Sequence, residues 1–154
     1  MNNPINNQVF DTRDLIDYQN DLAQEIVDIW NDENPEFEAT DISDILGTNG
    51  YEFTQDAAES WENFSDTNRV ELEHYKAISD FCDELSGSPD YTYGESVVSD
   101  DYFTEYTQEL LEDCGYIPKD FPSWIELDWE KTASNVKQDY TSANFENQTY
   151  WIRA

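Results

Sequence analysis

The 154-residue chain carries 36 Asp and Glu against 7 Lys and Arg, a formal charge of −29, where a magnitude of about 2 to 8 suffices to keep a small domain soluble. Such self-repulsion weakens a compact state and sets the chain against nucleic acid and anionic membrane as partners; its counterparts are basic surfaces, including those that bind nucleic acid. Disorder, whose signature is high charge with low hydropathy, is excluded by five Trp, ten Tyr and eight Phe and by apolar residues that recur with regular periods.

The length suits one domain or two small lobes. No apolar run approaches the ~18 residues that suggest a membrane span. Cys82 and Cys114 lie far apart without a CxxC or Cys/His ligand pattern, and no cationic, apolar leader precedes Val9, so a reduced cytoplasm is the expected compartment.

Residues 1–10 (MNNPINNQVF) are Asn-rich and contain Pro4, which reads as a flexible tail or an edge segment. The stretch from Asp14 to Asp32 organises the rest of the chain. As one helix it places Leu15, Leu22, Ile26, Ile29 and Trp30 on one side, with Ile16, Ala23 and Val27 on the flank. Asp14, Asp17, Asp21, Glu25, Asp28 and Asp32 line the other within roughly 80° of the circumference, over about 27 Å at 1.5 Å rise per residue. That is one negative charge about every 5 Å, the scale of phosphates along a nucleic-acid strand. An acidic stripe alone is more often a solvated helix face; here the imbalance continues, with sixteen acidic and no basic residues between Arg13 and Arg69.

Asp11 or Thr12 is the expected cap of this helix, and Pro35 its end. Thr40 then caps a short turn, DISDIL, closed by Gly47; the chain turns at Asn49 and Gly50, and Thr54 caps a helix turning Ala57, Ala58, Trp61 and Phe64 inward. A further helix from Asp66 places Val70, Tyr75, Ile78, Phe81, Cys82 and Leu85 at mostly helical spacing, stopped by Gly87 and Pro89. The run DYTYGESVVS predicts a strand near residues 91–98. Asp100 is the expected cap of DYFTEYTQELLED, whose Phe103, Tyr106, Leu110 and Leu111 pack inward while Asp100, Asp101, Glu105, Glu109, Glu112 and Asp113 form a second acidic cluster ahead of Gly115.

GYIPKDFPSWIEL reads as a packed connection to Asp128, the cap of WEKTASNVKQDY, and TSANFENQTYWIRA as a hairpin turning near Glu146 and Asn147. The expected class is α+β: a flexible tail over 1–10, an acidic helical lobe over 11–88, and over 89–154 a small antiparallel sheet with two helices, with no repeat or long linker to mark the boundary.

Catalytic constellations do not stand out. His74 is the lone histidine, and a lone helical His is usually a surface or core residue. Neither GxxxxGK[ST] nor GxGxxG occurs, and no DxDxDG-type loop would bind Ca²⁺. Carboxylate pairs suited to glycoside chemistry are uninformative among 36 acids because sequence does not set their separation. The expectation is no enzyme, no cofactor and no metal site. Trp30, Trp61 and Trp124 are expected in their own cores, and a homodimer anchored by one of them is left open.

The stretches TYGESVVSDDYFTEYTQELLEDCGYIPKDFPSWIELDW and TASNVKQDYTSANFENQTYWIR resemble phage and plasmid antirestriction proteins of the ArdA type. The likeness combines an acidic helix after a strand with a closing order of Asp, aromatic, short helix, Asp-Tyr, hairpin and terminal Arg. It implies a DNA mimic, in the host cytoplasm if phage-encoded, that occupies the DNA-binding groove of a type I restriction-modification enzyme. The residue reading agrees: the stripe from Asp14 to Asp32 and the cluster from Asp100 to Asp113 would meet Lys and Arg that normally hold phosphates. Two other readings share the composition. One is a mimic aimed at a CRISPR effector, RNA polymerase or a nucleoid protein. The other is a halophilic structural or binding protein, which predicts acids on all exposed faces and stability that rises with salt.

Overall fold

The computed structural model describes residues 1–46 and 55–154, without the side chains of 55–58. In chain order the elements are strand β1 (Val9–Asp11), helices α1 (Thr12–Glu33), α2 (Ser43–Leu46), α3 (Gln55–Thr67) and α4 (Arg69–Leu85), strand β2 (Ser96–Ser99), helices α5 (Phe103–Asp113) and α6 (Trp129–Val136), and strands β3 (Tyr140–Phe145) and β4 (Gln148–Arg153). Among the described residues this is an α+β fold with six α-helices and one antiparallel sheet. Its contacts group the chain into two units, one of residues 1–2 with 16–80, the other of 3–15 with 81–154. The division therefore falls within α1 and α4, not between residues 88 and 89, because β1 and the helix ends next to it pack with the sheet.

In the first unit α1 supplies the core. Ile26, Val27 and Trp30 are buried with Ala39, Ile45 and Phe64, and the 22-residue helix ends before Pro35, whose ring would clash with a continuing turn. Two side-chain clamps return the chain onto it. The Trp30 indole donates to the Phe37 carbonyl (2.6 Å), and Asn31 brackets Ala39, donating to its carbonyl at 3.0 Å and accepting from its N–H at 2.7 Å. Each fully buried aliphatic side chain contributes about 1.5–3 kcal/mol. A like-charged pair on the outer face opposes by only about 0.2–0.5 kcal/mol, so the core outweighs the acids and the helix stands.

Several expected details differ here. Asp41, not Thr40, caps α2, accepting from the N–H and the hydroxyl of Ser43; the Thr40 N–H donates to the Asp44 carboxylate instead (2.7 Å). α4 begins at Arg69 rather than Asp66, and Val70 is 73% exposed because the first turn carries it to the outer side. Ile78, Phe81, Cys82 and Leu85 are buried as the spacing predicts. The expected turn at Asn49 and Gly50, the closing Gly47, the Thr54 cap and the side chains of Ala57 and Ala58 lie outside the described residues.

In the second unit the sheet order is β1-β2-β4-β3, antiparallel throughout. β3 and β4 form the expected hairpin. Glu146 and Asn147 take φ of 47° and 66°, the left-handed pair that a two-residue turn of matching twist requires. The inner strand β2 is covered on both faces. Val98 packs with Phe103 and Ala133 under α5 and α6, while Val97 is fully buried on the other side, where Phe10 and Tyr150 lie against Phe81, the latter pair at 5.3 Å between ring centroids.

Of the two readings of residues 1–10, the edge segment holds and the flexible tail does not. Pro4 and Ile5 are buried in a 3₁₀ turn, and Val9–Asp11 pair with Ser96–Val98 as the sheet edge. The strand expected from residue 91 starts only at Ser96, because Tyr93 and Gly94 fold back with their N–H groups on the Asp90 carbonyl and Gly94 takes φ +110°. Thr12 ties that turn to the start of α1. Wholly buried, its hydroxyl donates to the Tyr91 carbonyl (2.7 Å) and accepts from the Glu95 N–H (3.0 Å).

Candidate protein-binding surface

Every member of the α1 stripe is exposed: Asp14, Asp17, Asp21, Glu25, Asp28 and Asp32. The helix presents them because its buried Leu15, Leu22, Ile26, Val27 and Trp30 take up the other side of the 3.6-residue period, while Tyr18 is buried at the border of the stripe. The three ion pairs among the described residues are Arg13–Asp11, Arg69–Glu73 and Lys137–Asp100, so no stripe carboxylate is neutralised by one. Arg13, the cation next to Asp14, is held in a two-pronged contact by Asp11, at 2.9 and 2.8 Å. That pairing lowers the Asp11 carboxyl below its ordinary range and raises the guanidinium. Within the stripe, Asp28 accepts from the Gln24 amide at 2.8 Å.

The second cluster is also exposed, at Asp100, Asp101, Glu105, Glu109, Glu112 and Asp113, but it is less uniform. Glu105, Glu109 and Glu112 recur at i, i+4 and i+7 along α5. Asp100 is not the expected helix cap. It lies in a 3₁₀ turn before α5, and its carboxylate accepts from Lys137 Nζ (2.6 Å) and Trp151 Nε1 (2.7 Å), two bonds that hold it below the ordinary carboxylate range. Lys137 also sits over the rings of Phe103 and Trp151, 5.1 and 4.8 Å from their centroids. Asp100 therefore ties α6 and β4 to the start of α5, and of the twelve acids it alone has an ion-pair partner among the described residues. Glu109 accepts from the Tyr102 hydroxyl at 2.9 Å, which raises that phenol, and Glu112 from Gln108 at 3.1 Å.

α5 closes as expected on Gly115, whose φ of +77° lets the Tyr116 N–H reach the Leu111 carbonyl and its own N–H that of Glu112, the paired closure that favours glycine. The connection after it is not packed. Tyr116 and Trp124 are 75% and 82% exposed, so Trp124 lies outside any core, while Trp30 is buried and Trp61 half-buried. The two prolines of this segment, Pro118 and Pro122, suggest packing but do not require it. The opposing signal was the polar interleaving of Lys119, Asp120 and Ser123 without a period.

His74 shares a hydrogen bond with the Tyr18 hydroxyl (2.9 Å) within the first unit. Cys82 is buried and Cys114 exposed, both free, and burial pushes the Cys82 thiol up. Among the described residues no group of three His, Cys, Asp or Glu is arranged to hold a metal ion, and no helix is long and apolar enough to cross a membrane. The chain matches no family model, no curated protein and no solved structure.

Proposed function

We propose that this chain is a non-enzymatic, cytoplasmic DNA mimic that occupies the DNA-binding groove of a type I restriction-modification enzyme. One observation supports this reading above the rest: six exposed carboxylates on a single face of α1, free of ion pairs among the described residues. In the other unit Asp101, in the turn before α5, and Glu105, Glu109, Glu112 and Asp113 on α5 are exposed as well, and the sequence resemblance to ArdA-type antirestriction proteins supports the same target. Lys and Arg built to receive phosphates would meet side-chain carboxylates instead. Association is then fast at low salt and weakened steeply by added salt.

The test is competition. The protein is titrated into a type I methyltransferase bound to labelled duplex DNA, at low and at high salt, with RNA polymerase run in parallel. Displacement from the methyltransferase at low salt, much weakened but still measurable at high salt, is the expected result. Displacement from the polymerase alone reassigns the target. No displacement from either, together with stability that rises into molar salt, replaces mimicry with adaptation to a saline environment.

A further inference from the structure

Residues 114–128 join α5 to α6 and leave Trp124 82%, Tyr116 75%, Ile125 38% and Leu127 37% exposed. A Trp so far in water leaves a large apolar area unburied, and Trp is enriched at the energetic centres of protein interfaces. Beside it, within the sheet-bearing unit, lies a groove of about 800 Å³ with apolar Ile117, Phe121, Leu127 and Trp129 in its lining. The same lining carries Glu112, Asp113 and Glu126 against the single cation Lys119. Glu112 and Asp113 belong to the α5 acidic cluster, so a groove that is more polar than apolar, with its apolar side chains set among carboxylates, shares one surface with the acids.

Apolar walls beside carboxylates fit a long cationic side chain, whose methylene stem lies on apolar surface while its head meets carboxylates and ring faces. A second copy of this chain fits poorly, since each copy carries a charge of −29 and would set acids against acids. We infer that residues 116–129 form the apolar anchor of an interface with a basic protein, the groove receiving an Arg or Lys of that partner and Trp124 bedding on apolar surface beside it. The inference rests on the proposed mimicry and adds what DNA itself lacks, contacts that salt does not screen and that discriminate among basic targets.

Full-length wild type, Trp124→Ala and the pair Glu112→Gln/Glu126→Gln are titrated into type I methyltransferase and into RNA polymerase at low and high salt. Trp124→Ala should weaken binding about tenfold or more at both salts without changing the salt dependence, as truncation of a central interface Trp does; the amide pair should weaken it mainly at low salt. Trp124→Ala affinity within about twofold of wild type, below the effect of a central anchor, overturns the anchor and leaves the mimicry standing. Wild type that binds neither protein overturns both. Self-association of wild type by sedimentation, lost in Trp124→Ala, overturns it by making a second copy the occupant.

Discussion

Neutralising the stripe should stabilise the protein while disarming it. In Asp21→Asn/Glu25→Gln/Asp28→Asn/Asp32→Asn, four like-charged neighbours along α1 are relieved: Asp17 with Asp21, Asp21 with Glu25, Glu25 with Asp28, and Asp28 with Asp32. Each such pair opposes the helix by about 0.2–0.5 kcal/mol. Asp32 also sits beside the negative end of the helix dipole, where α1 has no basic residue in its last turn, an unfavourable placement of about 0.3–1 kcal/mol. The amides have helix propensities close to those of the acids, and an amide oxygen at position 28 still accepts from Gln24. The expected gain is about 1–3 kcal/mol, or roughly 2–12 °C in Tm for a chain of this size. Urea unfolding at low ionic strength measures it, and at 1 M salt, where the Debye length falls to about 3 Å, most of the gain should vanish. In competition with DNA the same variant should lose about 1–4 kcal/mol, from four exposed ion pairs at about 0.2–1 kcal/mol each, which is roughly 5- to 900-fold. A variant no more stable than wild type, or a gain that salt leaves untouched, refutes the view that these acids are held against the interest of the fold.

Two further outcomes test the sheet-bearing unit. Thr12→Val leaves the Tyr91 carbonyl and the Glu95 N–H without their buried partner and should cost about 2–4 kcal/mol by urea denaturation, while Thr12→Ser stays within about 1 kcal/mol of wild type; equal stability of the Val variant would show that the hydroxyl is not a clamp. Asp100 has a folded carboxyl lowered by Lys137 and Trp151, so its contribution is present above the ordinary carboxylate pKa of about 3.9 and is lost as pH falls through the lowered value. The Tm gap between wild type and Asp100→Asn should hold steady from neutral pH to about pH 5 and close below about pH 4; a gap independent of pH removes the ion pair from the account.

What could be read from the sequence was local. The α1 stripe and its buried side, the Gly115 closure of α5, the Asp128 cap, which accepts from the Lys131 N–H at 3.0 Å, and the turn at Glu146 and Asn147 depend on neighbours within a few residues, where helical period and the sign of φ are legible. The exposure of the ten candidate acids on α1 and α5 came from the same period, whereas Asp100 and Asp101 lie in the turn before α5. What the tertiary structure decided was the choice of distant partner. Val9 pairs with Val98, which turns an Asn-rich beginning into a strand. Asp100, chemically a good cap, is drawn to Lys137 and Trp151 from elements 37 and 51 residues away, and Thr12 to a turn 79 residues on. Trp124 is left in water because no element of its unit covers it, although its composition suits a core. A side chain's chemistry states what it can bond, and only the fold determines which of several suitable groups stands within reach.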